Sequence, residues 1–366
     1  MSEHVLSEVS NQTGFIILNR ALALNSLSLE MVRAITGILL AWRSDPNINV
    51  VVIRSNSEKA FCAGGDIRFF HQAGIASATG GAALIEDFFT EEYALNHLIH
   101  HYPKPYVALM DGVVMGGGMG IAQAGPAARM RIVTERTKMA MPEVAIGLFP
   151  DVGGSYFLSR APGQLGAYLG VSGETIGAAD AIYADLADVF VPTTALPELI
   201  VLLSKAESTH DIRTTIANFA GQFAALPKAD PTHSRLAANR AAIDLHFAHD
   251  SVANITASLA GDASEFATKT HAIMHKRSPL MMCVTLAQIR RGAKMHVADC
   301  LKMERTMVRR CFEHGEVIEG VRALVIDKDH TPRWNPASLD LVTPEMVERF
   351  FETAWPDYAH PLKDLT

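Results

Sequence analysis

Two acids stand in unusual company in residues 140–154. The run AMPEVAIGLFPDVGG sets Glu143 and Asp151 among apolar residues, glycines and prolines. Surrounding a carboxylate with apolar groups is costly unless something compensates. A partly desolvated carboxylate has a raised pKa, which suits it to act as a base or nucleophile near neutral pH. On local sequence alone the plainer reading is an exposed Glu143 after Pro142 and a turn or helix cap at Asp151 after Pro150. Two glycine-rich runs lie upstream: residues 60–67 read AFCAGGDI and residues 112–120 read GVVMGGGMG. Glycine admits positive φ and lets a ligand approach the backbone closely. Two such turns at strand ends could present N–H groups to one small oxygen, which is what an oxyanion hole requires. Each is equally compatible with a tight turn alone. Neither is a nucleotide loop: no Gly-Lys-Ser/Thr follows, and Ile121 stands where a dinucleotide fingerprint needs its third glycine.

The elements that must hold these residues are legible as short apolar runs. GFIILN (14–19), NVVVIR (49–54) and YVALM (106–110) read as strands buried on both faces, with shorter candidates at 130–133 and 138–141. Ser28 is placed to cap a helix in which Leu29, Val32, Ile35, Leu39 and Trp42 recur at helical spacing. Strands alternating with helices imply a largely parallel α/β core. From about residue 196 the pattern turns helical, rich in alanine, leucine and charge. The expected organisation is an α/β core over 1–195 that carries the site, and a helical C-terminal region over 196–366.

Composition bounds the function. The chain has 366 residues, 49% hydrophobic and 19% charged, which describes a globular protein with a sizeable core. A net charge of −7 argues against a general nucleic-acid-binding surface. The four cysteines form no CxxC pair, so reduced thiols in a cytoplasmic protein are expected. The opening residues do not read as a secretory signal, and no apolar run is expected to span a membrane. His97, His100 and His101 cluster in HLIHHYP, but no HExxH accompanies them and no metal is expected. Cys62 reads as a small packed residue.

Taken in order, AFCAGGDI, MGGGMG and MPEVAIGLFPDVGG resemble the motifs of the crotonase (enoyl-CoA hydratase/isomerase) superfamily. LNRALALNSL, at 18–27, is similar to that superfamily's N-terminal signature. The resemblance implies a core of repeated ββα units in a spiral, and a pocket for an acyl-CoA thioester. CoA is then part of the substrate, and no separate cofactor is expected. Carried over by motif, the oxyanion donors are the backbone N–H groups of Ala63 and Gly117, with Gly64, Gly65, Asp66, Gly116 and Gly118 against the substrate.

Within the superfamily the likeness is nearer to the thioester hydrolases. Hydratases usually carry a catalytic glutamate two residues after the glycine triplet, and here that place is Gly120. Asp151 stands where hydratases commonly have glycine, and residues 319–342 (EGVRALVIDKDHTPRWNPASLDLV) resemble the hydrolases' extended tail. That likeness implies Glu143 as nucleophile or general base, Asp151 as an orienting acid, and Glu92 as acceptor for a 3-hydroxyl. The implied substrate is 3-hydroxyisobutyryl-CoA, an intermediate of valine breakdown. The alternatives are an enoyl-CoA hydratase or isomerase, and a non-catalytic acyl-CoA-binding member. Self-assembly as a trimer or hexamer is expected of the superfamily. Ala21 and Leu22 depart from its signature, which often has Pro and Lys there, and this removes one CoA contact. Of Lys59, Arg68, Lys104, Lys328 and Arg333, one or two are expected to meet CoA phosphates. Treatment with a chelator is expected to leave thioester turnover unchanged; a loss reversed by added metal would overturn the metal-free reading.

Overall fold

The computed structural model describes residues 2–76, 83–205 and 211–366. The chain forms two compact units interleaved along the sequence. The first comprises Met1–Gly65, Leu95–Ala140 and Ile176–Ala238; the second comprises Asp66–Ala94, Met141–Thr175 and Asn239–Thr366. From Leu196 onward the described residues form helices and 3-10 turns with no strand, and this helical region is shared between the two units.

The first unit holds the strands: β1 (Val5–Ser10), β2 (Thr13–Leu18), β3 (Val50–Ser55), β4 (Ala60–Cys62), β5 (Tyr106–Met110), β6 (Val113–Met115), β7 (Arg129–Val133), β8 (Lys138–Ala140) and β9 (Val189–Phe190). They form a six-stranded sheet in the order β1-β2-β3-β5-β7-β9 and a three-stranded sheet in the order β4-β6-β8. Among the strand pairs of the described residues the β1–β2 hairpin is antiparallel and the rest are parallel. The continuous apolar runs of β2 and β5 are buried at every position, as strands covered on both faces require. One face of the large sheet presents Phe15, Val52, Val107 and Ile132 to Leu199, Leu203 and Ile216 of two helices beyond residue 196. Helix α1 (Leu29–Arg43) starts where the sequence places it. The Ser28 hydroxyl accepts from Met31 N–H, and Met31, Val32, Ile35 and Leu39 are buried.

Three successive strand pairs repeat one pattern. In β3/β4, β5/β6 and β7/β8, the longer first strand joins the large sheet and the three-residue second strand joins the small one. The small sheet is parallel, so the C-terminal ends of its strands lie along one edge. Those ends run into the three motifs of the sequence: AGGD, GGG and MPE. The glycine-rich runs are therefore strand as well as turn, and the expected ββα repeat is the architecture observed.

Glycine is required where these strands crowd. A Cβ on Gly118 would lie 2.3 Å from the Cys62 carbonyl oxygen, a clash with backbone that cannot swing away. Cys62 itself is buried, its thiol facing the Asn25 carbonyl at 3.1 Å.

The second unit is helical. Asp66 caps α2 (Ile67–Ile75) by accepting from Phe69 N–H at 3.3 Å. Phe70 meets Phe88, Phe89 and Phe312 at centroid separations of 5.0, 4.9 and 6.4 Å, a geometry that favours edge contacts. Phe88 and Phe89 lie on α3 (Ala83–His100), and Phe312 lies on the helix Val297–His314. Gly118→Ala is expected to destabilise the chain by about 2–3 kcal/mol. Gly37→Ala, in α1 with open space around its Cα, is expected to stabilise it by roughly 0.5–1 kcal/mol. Urea denaturation of the two variants checks both signs.

Candidate active site

The backbone donors come from the first unit. Gly64 has φ +100°, and its carbonyl accepts from Leu27 N–H at 2.7 Å. A Cβ built on Gly64 would sit 3.1 Å from the Met115 carbonyl oxygen and 3.5 Å from Gly117 N, so the two glycine turns are immediate neighbours. Gly116, at φ 49° and ψ −120°, precedes the single helical turn α4 (Gly117–Gly120). Gly117 N–H opens that turn and has no acceptor among the described residues.

The other expected donor needs correction. Ala63 N–H already donates to the Leu24 carbonyl at 3.0 Å, so it is not available to a ligand. Gly65 N–H, two residues on, has no acceptor among the described residues. Asp66, expected against the substrate, uses a carboxylate oxygen as the cap of α2. Gly120 is buried and brings no acid to α4. Lys104 is occupied structurally, its ammonium donating to the Trp42 and Asp45 carbonyls.

The carboxylates gather in the second unit. Glu92, Glu143 and Asp151 are 2%, 6% and 5% exposed, so the exposed reading of Glu143 is excluded. Asp151 stands in a turn, its carbonyl accepting from Gly154 N–H at 2.7 Å, with its side chain buried. Glu143 begins a 3-10 turn (Glu143–Ala145) after Pro142, and its Oε2 has no partner among the described residues. Burial raises its pKa well above the ordinary range, and the neighbouring Asp151 charge adds to the rise. Glu92 is raised by burial and by the charges of Asp151 and Glu143, and its Oε1 is also unpartnered. Asp151 is raised by burial only to about 6, because the Tyr93 hydroxyl donates to its Oδ2 at 2.7 Å. Environments that separate the pKa values of neighbouring acids allow one to hold a proton while another acts as a base.

The Asp151 turn is strained and clamped. Val152, β-branched and buried, has φ 53°, a conformation such residues rarely adopt. Glu304, on the helix Val297–His314, accepts from Gly153 N–H and Ser155 N–H at 2.8 Å each. Gln288, on the helix Pro279–Gly292, donates to the Pro150 carbonyl and to the Ser155 hydroxyl. Glu304 is fully buried, and burial pushes its carboxyl up to about 8 against those two hydrogen bonds.

Sequence reasoning missed Tyr93, Asn96, Gln288 and Glu304. Glu304 left a signal: it stands on the buried stripe Val297, Cys300, Leu301, Met307, Val308, where an apolar residue belongs. The His97 and His101 rings pack at 4.3 Å between centroids. Among the described residues no three His, Cys, Asp or Glu side chains are grouped as metal ligands.

Comparison with known proteins shows what the chain is similar to. The profile of the enoyl-CoA hydratase/isomerase family matches residues 13–351. The chain is 40% identical over 349 residues to the mitochondrial 3-hydroxyisobutyryl-CoA hydrolase of Gallus gallus, covering 95% of this chain and 88% of that one. It is 38% identical over 355 residues to the protein of that name from Homo sapiens, covering 96% and 89%. The fold is similar to a carnitinyl-CoA dehydratase from Mycobacterium thermoresistibile (TM-score 0.84, 36% identity, 97% of this chain and 98% of that one). It is equally similar to an enoyl-CoA hydratase from Rhodobacter sphaeroides (TM-score 0.84, 37% identity, 96% and 98%).

The clamp has a pH signature. Glu304 holds its proton to about pH 8 when folded, against an ordinary 4.5. The folded chain therefore binds more protons across that window, and stability falls as pH rises through it. Asp151 contributes in the same direction between 3.8 and about 6. In Glu304→Gln the fall between pH 6 and 8 is expected to flatten. At pH 5 the variant is expected to be about 1–3 kcal/mol less stable, since an amide offers one acceptor oxygen to two N–H donors. Denaturation midpoints across pH check this, and an unchanged slope would remove Glu304 as the titrating group.

Proposed function

We propose, since the chain belongs to the enoyl-CoA hydratase/isomerase family, that it is a thioester-hydrolysing member. Its reaction is the conversion of 3-hydroxyisobutyryl-CoA to 3-hydroxyisobutyrate and CoA, a step of valine breakdown. The observation that carries this reading is the pairing of a buried carboxylate that has an unpartnered oxygen, Glu143, with a glycine at 120. The turn after the glycine triplet therefore lacks the second acid that water addition to an enoyl group uses. Hydrolase relatives at 38–40% identity along most of their length support the same reaction class.

In this reading the peptide N–H groups of Gly65 and Gly117 bind the thioester oxygen and stabilise it as negative charge develops. Glu143 attacks the carbonyl carbon, the C–S bond breaks, and the CoA thiolate leaves and takes a proton. Water then cleaves the resulting anhydride, giving back the carboxylate and releasing the hydroxy acid. With Glu143 as general base instead, it takes a proton from the water that attacks the same carbon. Asp151, held by Tyr93, orients the water or Glu143, and Glu92 accepts from the 3-hydroxyl. Gly116 lets the ester approach the backbone, while Gly64 and Gly118, whose side-chain space is filled by the Met115 and Cys62 carbonyls, let the turns pack closely.

The rest of the reading is coarser in its support. No helix among the described residues is long and apolar enough to cross a membrane. Four free cysteines, three of them buried, fit a reducing compartment, here the cytoplasm; the vertebrate relatives' names place those proteins in mitochondria. Assembly as a trimer or hexamer belongs to the same reading and is measured by sedimentation. A second reading, hydration of an enoyl-CoA, is favoured by the likeness to the carnitinyl-CoA dehydratase and the enoyl-CoA hydratase of known structure.

Free-thiol release from 3-hydroxyisobutyryl-CoA, run beside loss of the crotonyl-CoA double bond, separates the two readings. Rapid thiol release is expected, with the double bond untouched; the reverse would make the chain a hydratase. Glu143→Gln is expected to keep ester binding and lose about 10²–10⁴-fold in kcat. In the wild type the rate is expected to rise with pH along a limb that lies above the ordinary glutamate value of 4.5.

A further inference from the structure

We infer that Asn96 reads the hydroxyl of the acyl group together with Glu92, so that the two side chains form one specificity element on α3. The inference rests on the hydrolase reading above and adds a residue to it. Glu92 and Asn96 stand four apart on one helix, which puts them on the same face, one turn from each other. Both are buried, Asn96 being 5% exposed. Neither the amide nitrogen nor the amide oxygen of Asn96 has a hydrogen-bond partner among the described residues, and Glu92 Oε1 has none either. Three unpartnered polar atoms in a row along a buried helix face are costly, and folded chains seldom carry them without a reason.

A buried asparagine that serves the fold looks different in this chain. Asn25 is fully buried, and its amide nitrogen donates to Ser55 Oγ and to the Phe61 carbonyl while its oxygen accepts from Arg20 N–H. Asn96 has no such set. Its chemistry suits a group that both donates and accepts. A hydroxyl supplies one hydrogen and two lone pairs, so its oxygen can accept from the Asn96 amide while its hydrogen goes to Glu92. An acyl group without the hydroxyl leaves the Asn96 amide nitrogen and Glu92 Oε1 unpaired, and a site of that kind discriminates strongly.

The test measures kcat/KM for thiol release from 3-hydroxyisobutyryl-CoA and from isobutyryl-CoA. It compares the wild type, Asn96→Leu, which is close in shape, and Asn96→Thr, which keeps a donor. Melting temperatures are taken with and without each ester. In Asn96→Leu the preference for the hydroxy ester is expected to fall about 10- to 100-fold, with a smaller fall in Asn96→Thr. Without ligand, Asn96→Leu is expected to melt at or above the wild-type temperature, because an unpaired buried amide has been removed. An unchanged preference in both variants would overturn the inference. So would a large drop in the ligand-free melting temperature, which would show the amide holding the fold through water. If the wild type releases thiol from neither ester, the hydrolase reading fails, and the melting data decide Asn96 alone. A larger stabilisation by the hydroxy ester that Asn96→Leu abolishes supports the inference, and one that Asn96→Leu retains overturns it.

Discussion

Burial of several carboxylates in one place is the constraint from which the second unit follows. Glu92, Glu143, Asp151 and Glu304 are all removed from water, and no arginine or lysine ion pair with any of them appears among the described residues. Their charge is instead managed by protonation, by the Tyr93 hydroxyl and by the peptide N–H groups of Gly153 and Ser155. A buried ion pair would lock the acids in the charged state and hold their pKa values low. Hydrogen bonds to uncharged donors leave them poised higher, where proton transfer near neutrality is possible.

The first unit solves a different problem, that of aiming backbone rather than side chains. Short parallel strands end along one edge, and glycines at those ends let neighbouring turns come closer than any side chain permits. Which N–H points outward is then decided by pairing. The Leu24 carbonyl takes Ala63 N–H into the framework, and Gly65 and Gly117 are left as the available donors. Which N–H is left outward thus depends on a contact with a segment nearly forty positions upstream.

That explains how far the sequence could be read. Strands β2, β3, β5 and β7 and helix α1 were legible because each carries its own signal, a continuous apolar run or a capped helical stripe. The order of the three motifs was legible too, and with it the acids at 143 and 151. Strands β4 and β6 were hidden, since three residues inside a glycine-rich run show no period. The roles of Tyr93, Gln288 and Glu304 were out of reach because they are defined by distant partners. Glu304 meets a turn about 150 positions upstream, and nothing near either residue announces the other.

The same long reach has a consequence for synthesis. The Asp151 turn leaves the ribosome well before the helix that carries Glu304 has been translated. At ordinary elongation rates the interval is roughly 10–30 s. During it the N–H groups of Gly153 and Ser155 lack their acceptor, and nothing compels Val152 to keep its unfavoured φ. The Asp151 turn therefore gains its clamp only after the helix that carries Glu304 has been made. A nascent chain halted before residue 297 would carry the motifs of the enzyme without the acceptor that fixes its Asp151 turn.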